Sequence, residues 1–174
     1  MNPILAAAIA LSTATTVAGA GLSFDISGME AWGNDGNPLN DSRVFDVQDT
    51  FFNVILSINY DITIQTLNNS TFSDINFRFG NSDGTFDGVW PDTFAPGAGI
   101  NEPGIQRFVG SFFTDFHLND DLEFHLSIFD TFDNDGLDAV VLEGSTVSLG
   151  VFIPSPGTGM ILGCAGLMAV RRRR

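Results

Sequence analysis

Lysine is absent from the 174 residues, cysteine and tyrosine occur once each, and histidine twice. With its single cysteine at Cys164, near the C-terminus, the main body has no disulfide framework and no thiolate metal site. Stability must come from core packing, helped at most by bound cations. Basic residues are scarce in a revealing way. Four of the seven arginines are Arg171 to Arg174, so only Arg43, Arg78 and Arg107 stand among the 21 acidic residues, all of which lie between Asp25 and Glu143. The body's formal charge is therefore −18. Such a surface repels phosphate backbones, which argues against nucleic acid as a partner and favours cations, or basic or neutral polymers. The acidity also serves simply to keep a domain soluble.

What the chain has instead is phenylalanine. Seventeen Phe within a composition that is 44% apolar exclude a disordered chain. Phe has no polar handle, so these rings belong mostly to a core. The length suits one domain once the two ends are set aside.

Apolar and polar residues alternate through the middle of the chain. Phe52, Val54, Leu56, Ile58, Tyr60, Ile62 and Ile64 point one way, and Asn53, Ser57, Asn59, Asp61, Thr63 and Gln65 the other. Ile55 is the exception. Thirteen residues exceed an ordinary strand, so one long bent strand, or two joined at a bulge near Asn59, is expected. The period of two returns at Ile75–Phe79, Leu122–Ile128 and Val147–Val151, and more weakly at 24–29, 43–47, 105–113 and 138–142. Trp90 to Gly104, rich in proline and glycine, reads as a long loop. About eight strands with one polar face each predict an all-β, two-sheet sandwich over residues 21–153, of jelly-roll or immunoglobulin-like type.

Three Asp-Gly turns punctuate it, at Asp35-Gly36, Asp83-Gly84 and Asp135-Gly136. Asp-Gly is a common hairpin turn. The third turn lies in a run where Asp130, Asp133, Asp135 and Asp138 could offer several oxygens to one Ca²⁺. His117 and His125 read as solvent-facing strand residues. Trp32 and Trp90, in turn-rich stretches, are candidates for stacking on sugar rings. No nucleophile elbow, zincin motif or phosphate loop appears, so the chain reads as a non-enzyme.

Both ends look like addresses. Residues 1–20 hold an apolar stretch and end Ala18-Gly19-Ala20 before Gly21, an A-x-A cleavage pattern typical of a secretory signal peptide. The n-region lacks Lys and Arg; the alternative is a buried N-terminal helix. Residues 154–174 run Pro154-Ser155-Pro156, then 14 uncharged residues to Val170, then Arg171, Arg172, Arg173 and Arg174. Fourteen helical residues cover about 21 Å, short of a hydrocarbon core of about 30 Å. The arginines favour the cytoplasmic side, which leaves the body outside.

This tail resembles the PEP-CTERM sorting signal, in which a Pro-x-Pro motif, a short glycine-rich apolar helix and a terminal Arg run follow in order. Ser155 departs from the family's Glu. The resemblance implies Pro154, Ser155 and Pro156 as recognition motif and an exosortase-like membrane protease as partner. It also implies transient residence in the inner membrane as an anchored precursor, then display or release among extracellular polysaccharide. The alternative is an ordinary tail anchor. On this reading the chain is a structural matrix protein of the cell surface or biofilm. A carbohydrate- or Ca²⁺-binding module is the second reading and an extracellular hydrolase the third.

Overall fold

The computed structural model describes residues 22–47, 54–88, 91–132 and 136–151. The predicted signal-cleavage and tail residues, with Trp90, Asp133 and Asp135, lie outside them. Ten strands follow in order: β1 Leu22–Asp25, β2 Glu30–Ala31, β3 Ser42–Asp46, β4 Val54–Thr66, β5 Ile75–Asn81, β6 Thr93–Phe94, β7 Ile105–His117, β8 Glu123–Asp130, β9 Ala139–Val141 and β10 Thr146–Val151. They form two sheets packed face to face, the sandwich that the alternation predicts.

One sheet is organised by β4. Its thirteen residues pair with β7 along one edge, from Val54 opposite His117 to Gln65 opposite Ile105. The other edge is shared: β10 pairs with Ile55 to Asp61 and β9 with Ile64 to Thr66. Beyond them, β1 adds to β10 and β2 to β9. The second sheet runs β3-β8-β5-β6. Every one of these pairings is antiparallel.

Between the sheets the apolar faces meet. Ile58, Ile62 and Ile64 from β4 and Phe77 and Leu126 from the opposite sheet have no exposed surface. Phe79 is the hub: the rings of Phe86, Phe112 and Phe116 lie 5.6–5.8 Å from it and that of Phe124 lies 6.1 Å away. On the open side Phe94 of β6 stacks on Phe77 at 5.2 Å and on Tyr60 of the facing sheet at 5.3 Å. Tyr60 reaches that position by crossing β7 at Gly110, its register partner. A Cβ there would sit 2.4 Å from the Tyr60 hydroxyl, so only glycine fits.

The structure corrects the sequence reading in five places. The irregularity in β4 lies at Leu56, not near Asn59: Val151 and Gly150 oppose Ile55 and Ser57, and Leu56 is skipped. Ile55, the apparent exception, is fully buried, and Leu56 is 40% exposed. Two adjacent apolar residues cannot both face inward on a regular strand, and a bulge resolves the conflict. β6 falls inside the expected long loop, and β2 was not anticipated; two residues are too few to show a period. β7 continues to His117, past the expected end at Phe113. The first strand stops at Asp25, because Gly28 turns the chain at φ 80°, although Ile26 and Met29 remain buried.

The two neighbours at the bulge should behave oppositely. Ile55→Ala is expected to cost about 2–5 kcal/mol, as for a buried aliphatic residue, and Leu56→Ala under about 1 kcal/mol. Urea unfolding of both variants checks this; equal losses would remove the bulge.

Candidate functional site

The outward face of the smaller sheet carries a groove of about 400 Å³. Its floor follows from strand alternation. Ile75, Phe77 and Phe79 point inward on β5, so Arg78 points out; Phe124, Leu126 and Ile128 point inward on β8, so His125 and Ser127 point out. Register places Arg78 beside Ser127, and Ser127 beside Ser42 of β3.

Two of the three Asp-Gly turns form the walls. On one side Gly36 (φ 83°) closes the loop between β2 and β3. Asn40 ties that loop down: its Oδ1 accepts from the Trp32 N–H at 2.7 Å, and its Nδ2 donates to the carbonyls of Gly33 at 3.1 Å and Asn34 at 2.9 Å. On the other side Gly84 (φ 80°) closes the turn after β5. The Asp83 carboxylate accepts from the Thr85 N–H at 2.9 Å and its hydroxyl at 2.6 Å. Those bonds, with one from Asn119, hold the Asp83 carboxyl below its ordinary range.

Arg78 joins the walls. It forms an ion pair with Asp35 of the first loop, and its Nε lies 3.2 Å from Asp92 Oδ2, just before β6. The second contact is an ion pair without an aligned hydrogen bond. The guanidinium also lies over the Phe129 ring, 5.8 Å from its centroid. A guanidinium has five N–H donors, more than two carboxylates use. The groove thus combines donors, acceptors (Asp35, Asp92, Asn37), hydroxyls and a little aromatic surface. That mix suits neutral polyhydroxylated ligands, and the volume falls at the small end of the range for ligand sites, about 300–1,000 Å³.

The residues picked out by sequence have varied fates. Asp130 and Asp138 are fully buried rather than loop-exposed. Both hang on one short segment: the Asp138 N–H donates to the Ala31 carbonyl at 2.8 Å and the Asp130 N–H to the Gly33 carbonyl at 2.9 Å. One Asp130 oxygen also accepts from the Phe132 N–H. Trp32 lies between those two attachment points, so the fold brings three predicted site residues together. Its ring is half-buried and its indole N–H donates to Glu30 at 3.0 Å, and it does not line the groove. Among the described residues no three His, Cys, Asp or Glu side chains form a cluster able to hold a metal. His117 is exposed, as expected, but His125 is half-buried in the groove floor.

Sequence reasoning missed the Arg78–Asp35–Asp92 cluster. The available signal was scarcity: an arginine on a strand's polar face is conspicuous where 21 acids compete for three cations. Comparison with protein-family models, characterised proteins and solved structures finds no match, so the site stands on its own geometry.

Burial lowers the His125 pKa below its ordinary 6.5. The folded state therefore favours neutral imidazole, and His125 contributes stability above about pH 6.5 that is lost as pH falls through the lower folded value. The melting temperature should decline between about pH 7 and 5, and His125→Gln should flatten that decline. An unchanged slope in the variant would assign the effect to the carboxylates.

Proposed function

We propose that the chain is an exported, tail-processed, non-catalytic protein of the cell surface or extracellular matrix, associated with polysaccharide. One observation carries this reading beyond the sequence. The first and last strands are neighbours, with Leu22 opposite Leu149, so the chain enters and leaves the sandwich at the same end. A leader before residue 22 and a tail after residue 151 would both attach there. The body could then be held at a membrane by one end, with the groove-bearing sheet left clear. Processing at Pro154-Ser155-Pro156 by an exosortase-like protease would release it without cutting any described strand.

The groove supports association with polysaccharide rather than its hydrolysis. Asp35 and Asp92 both engage the same guanidinium, an arrangement suited to presenting fixed donors and acceptors to hydroxyl groups. The test is mass spectrometry of the protein recovered from its native host. Mature chains should begin at Gly21 and lack residues 157–174. Finding that most molecules end at Arg174 would make the tail a permanent anchor and sink the processing proposal.

Calcium binding is a second reading, favoured by Asp130 and Asp138. Two carboxylates with no exposed surface, in a strongly acidic body, flank an Asp-rich stretch of sequence. A divalent cation would offset the cost of burying them. Millimolar Ca²⁺ should then raise the melting temperature, and by more than Mg²⁺, which demands tighter octahedral geometry. Equal shifts would reduce the effect to charge screening.

A further inference from the structure

The sandwich's longest edge strand is also its least defended. Among the described residues β7 pairs only with β4 and leaves its other edge open. The remaining edge strands, β1, β2, β3 and β6, have two to five residues, and β7 has thirteen. Natural sheets blunt long edges with lysine, proline or inward charges. β7, reading IQRFVGSFFTDFH, has neither lysine nor proline.

Its outward face carries three of the most exposed large apolar side chains among the described residues. Ile105 is 63% exposed, Val109 71% and Phe113 84%. They are spaced by four residues and so share one face of the strand. They are also symmetric about Val109. When two copies of this strand pair antiparallel around a twofold axis at Val109, Val109 meets its own counterpart and Ile105 meets Phe113 at both ends. Arg107 then faces Ser111. No other centre on this strand pairs all three exposed apolar residues with one another.

Charge selects the same partner. Residues 103–114 contain no Asp or Glu, and the single charge, Arg107, is neutralised within its own chain by Asp61 through bonds of 2.6 and 2.5 Å. In a body of net charge −18 this is a strip where a second copy can approach without setting carboxylate against carboxylate. Nine paired residues supply about eight to ten backbone hydrogen bonds, similar to the roughly ten of a standard protein interface. The limits of the pairing are also set by the fold. Beyond Phe113 the register with β4 is irregular, and the His117 N–H is bonded to the Asp87 carbonyl at 2.8 Å.

We propose that two copies of this chain associate through residues 105–113 of β7, antiparallel and centred on Val109, which fuses their larger sheets into one. This uses the sheet edge and not the groove, so it stands whether or not the groove binds polysaccharide.

Cysteine cross-linking of the full chain in mild detergent, with Cys164→Ser as background, reads the register directly. Cα atoms across an antiparallel pair lie about 4.5 or 5.5 Å apart, both within disulfide reach. Val109→Cys should give a covalent dimer on mild oxidation. So should the double variant Ile105→Cys/Phe113→Cys, whereas Ile105→Cys alone should give little. Leu39→Cys, at a residue also 62% exposed, measures random collision. Val109→Lys should sediment as a monomer with an unchanged circular dichroism spectrum, where the parent sediments as a dimer. The proposal falls if Val109→Cys cross-links no faster than Leu39→Cys. It falls equally if the parent is monomeric at every concentration, or if Val109→Lys remains a dimer, which would place the interface elsewhere.

Discussion

The whole architecture hangs on β4, a strand paired along both edges for nearly all of its thirteen residues. Its inward face, Ile55, Ile58, Ile62 and Ile64, has no exposed surface and forms the floor of the core. Because β7 takes one edge entirely, β10 and β9 must share the other, one after the other. That sharing forces β1 to the outside of β10 and β2 to the outside of β9. The closeness of the chain's entry and exit is thus a consequence of how one long strand divides its edge. The bulge at Leu56 belongs to the same constraint, since it lets the strand change face once and still bury Ile55.

The facing sheet closes the core with rings as well as branched side chains. Phe79 touches four other phenylalanines across both sheets, and Phe94 bridges Phe77, Tyr60 and Phe112 on the open side. Rings at these separations gain somewhat beyond their burial when offset or edge-on. They also commit the opposite face of each strand to solvent. This is why Arg78, His125 and Ser127 end up on one surface, available to line a groove.

The three body arginines each fasten parts of the chain that are remote in sequence. Arg43 donates to the carbonyls of Asp25 at 3.0 Å and Ser27 at 2.6 Å, which pins the turn after β1 to β3. Arg78 ties the loop after β2 to the segment before β6. Arg107 bonds Asp61 across the β4–β7 pair. Exposed ion pairs contribute little stability singly. Their value here is positional: with so few cations among so many carboxylates, each arginine settles where two segments must be held together.

Period-two alternation made the strong strands readable before any coordinates, because a strand buried on one face writes its own periodicity. Ile75–Phe79 and Val147–Val151 lie inside observed strands, and so does most of 52–64. The Asp-Gly turns at Gly36 and Gly84 were legible for the same local reason, since Asp and Gly favour the backbone angles that turns require. The bulge position was misjudged because Ile55 and Leu56 are equally apolar, and only packing against the second sheet decides which turns inward. β2 and β6 were missed because two-residue strands exist only through their partners. The groove was invisible because Asp35, Arg78 and Asp92 are separated by 43 and 14 positions, and no local rule brings them together. The sequence by itself determined the sandwich and its acidic charge, both of which rest on local pattern or composition. Only tertiary structure decided which polar faces adjoin, that Asp130 and Asp138 are buried, and that β7 is left at an edge, because each depends on contacts between segments distant along the chain.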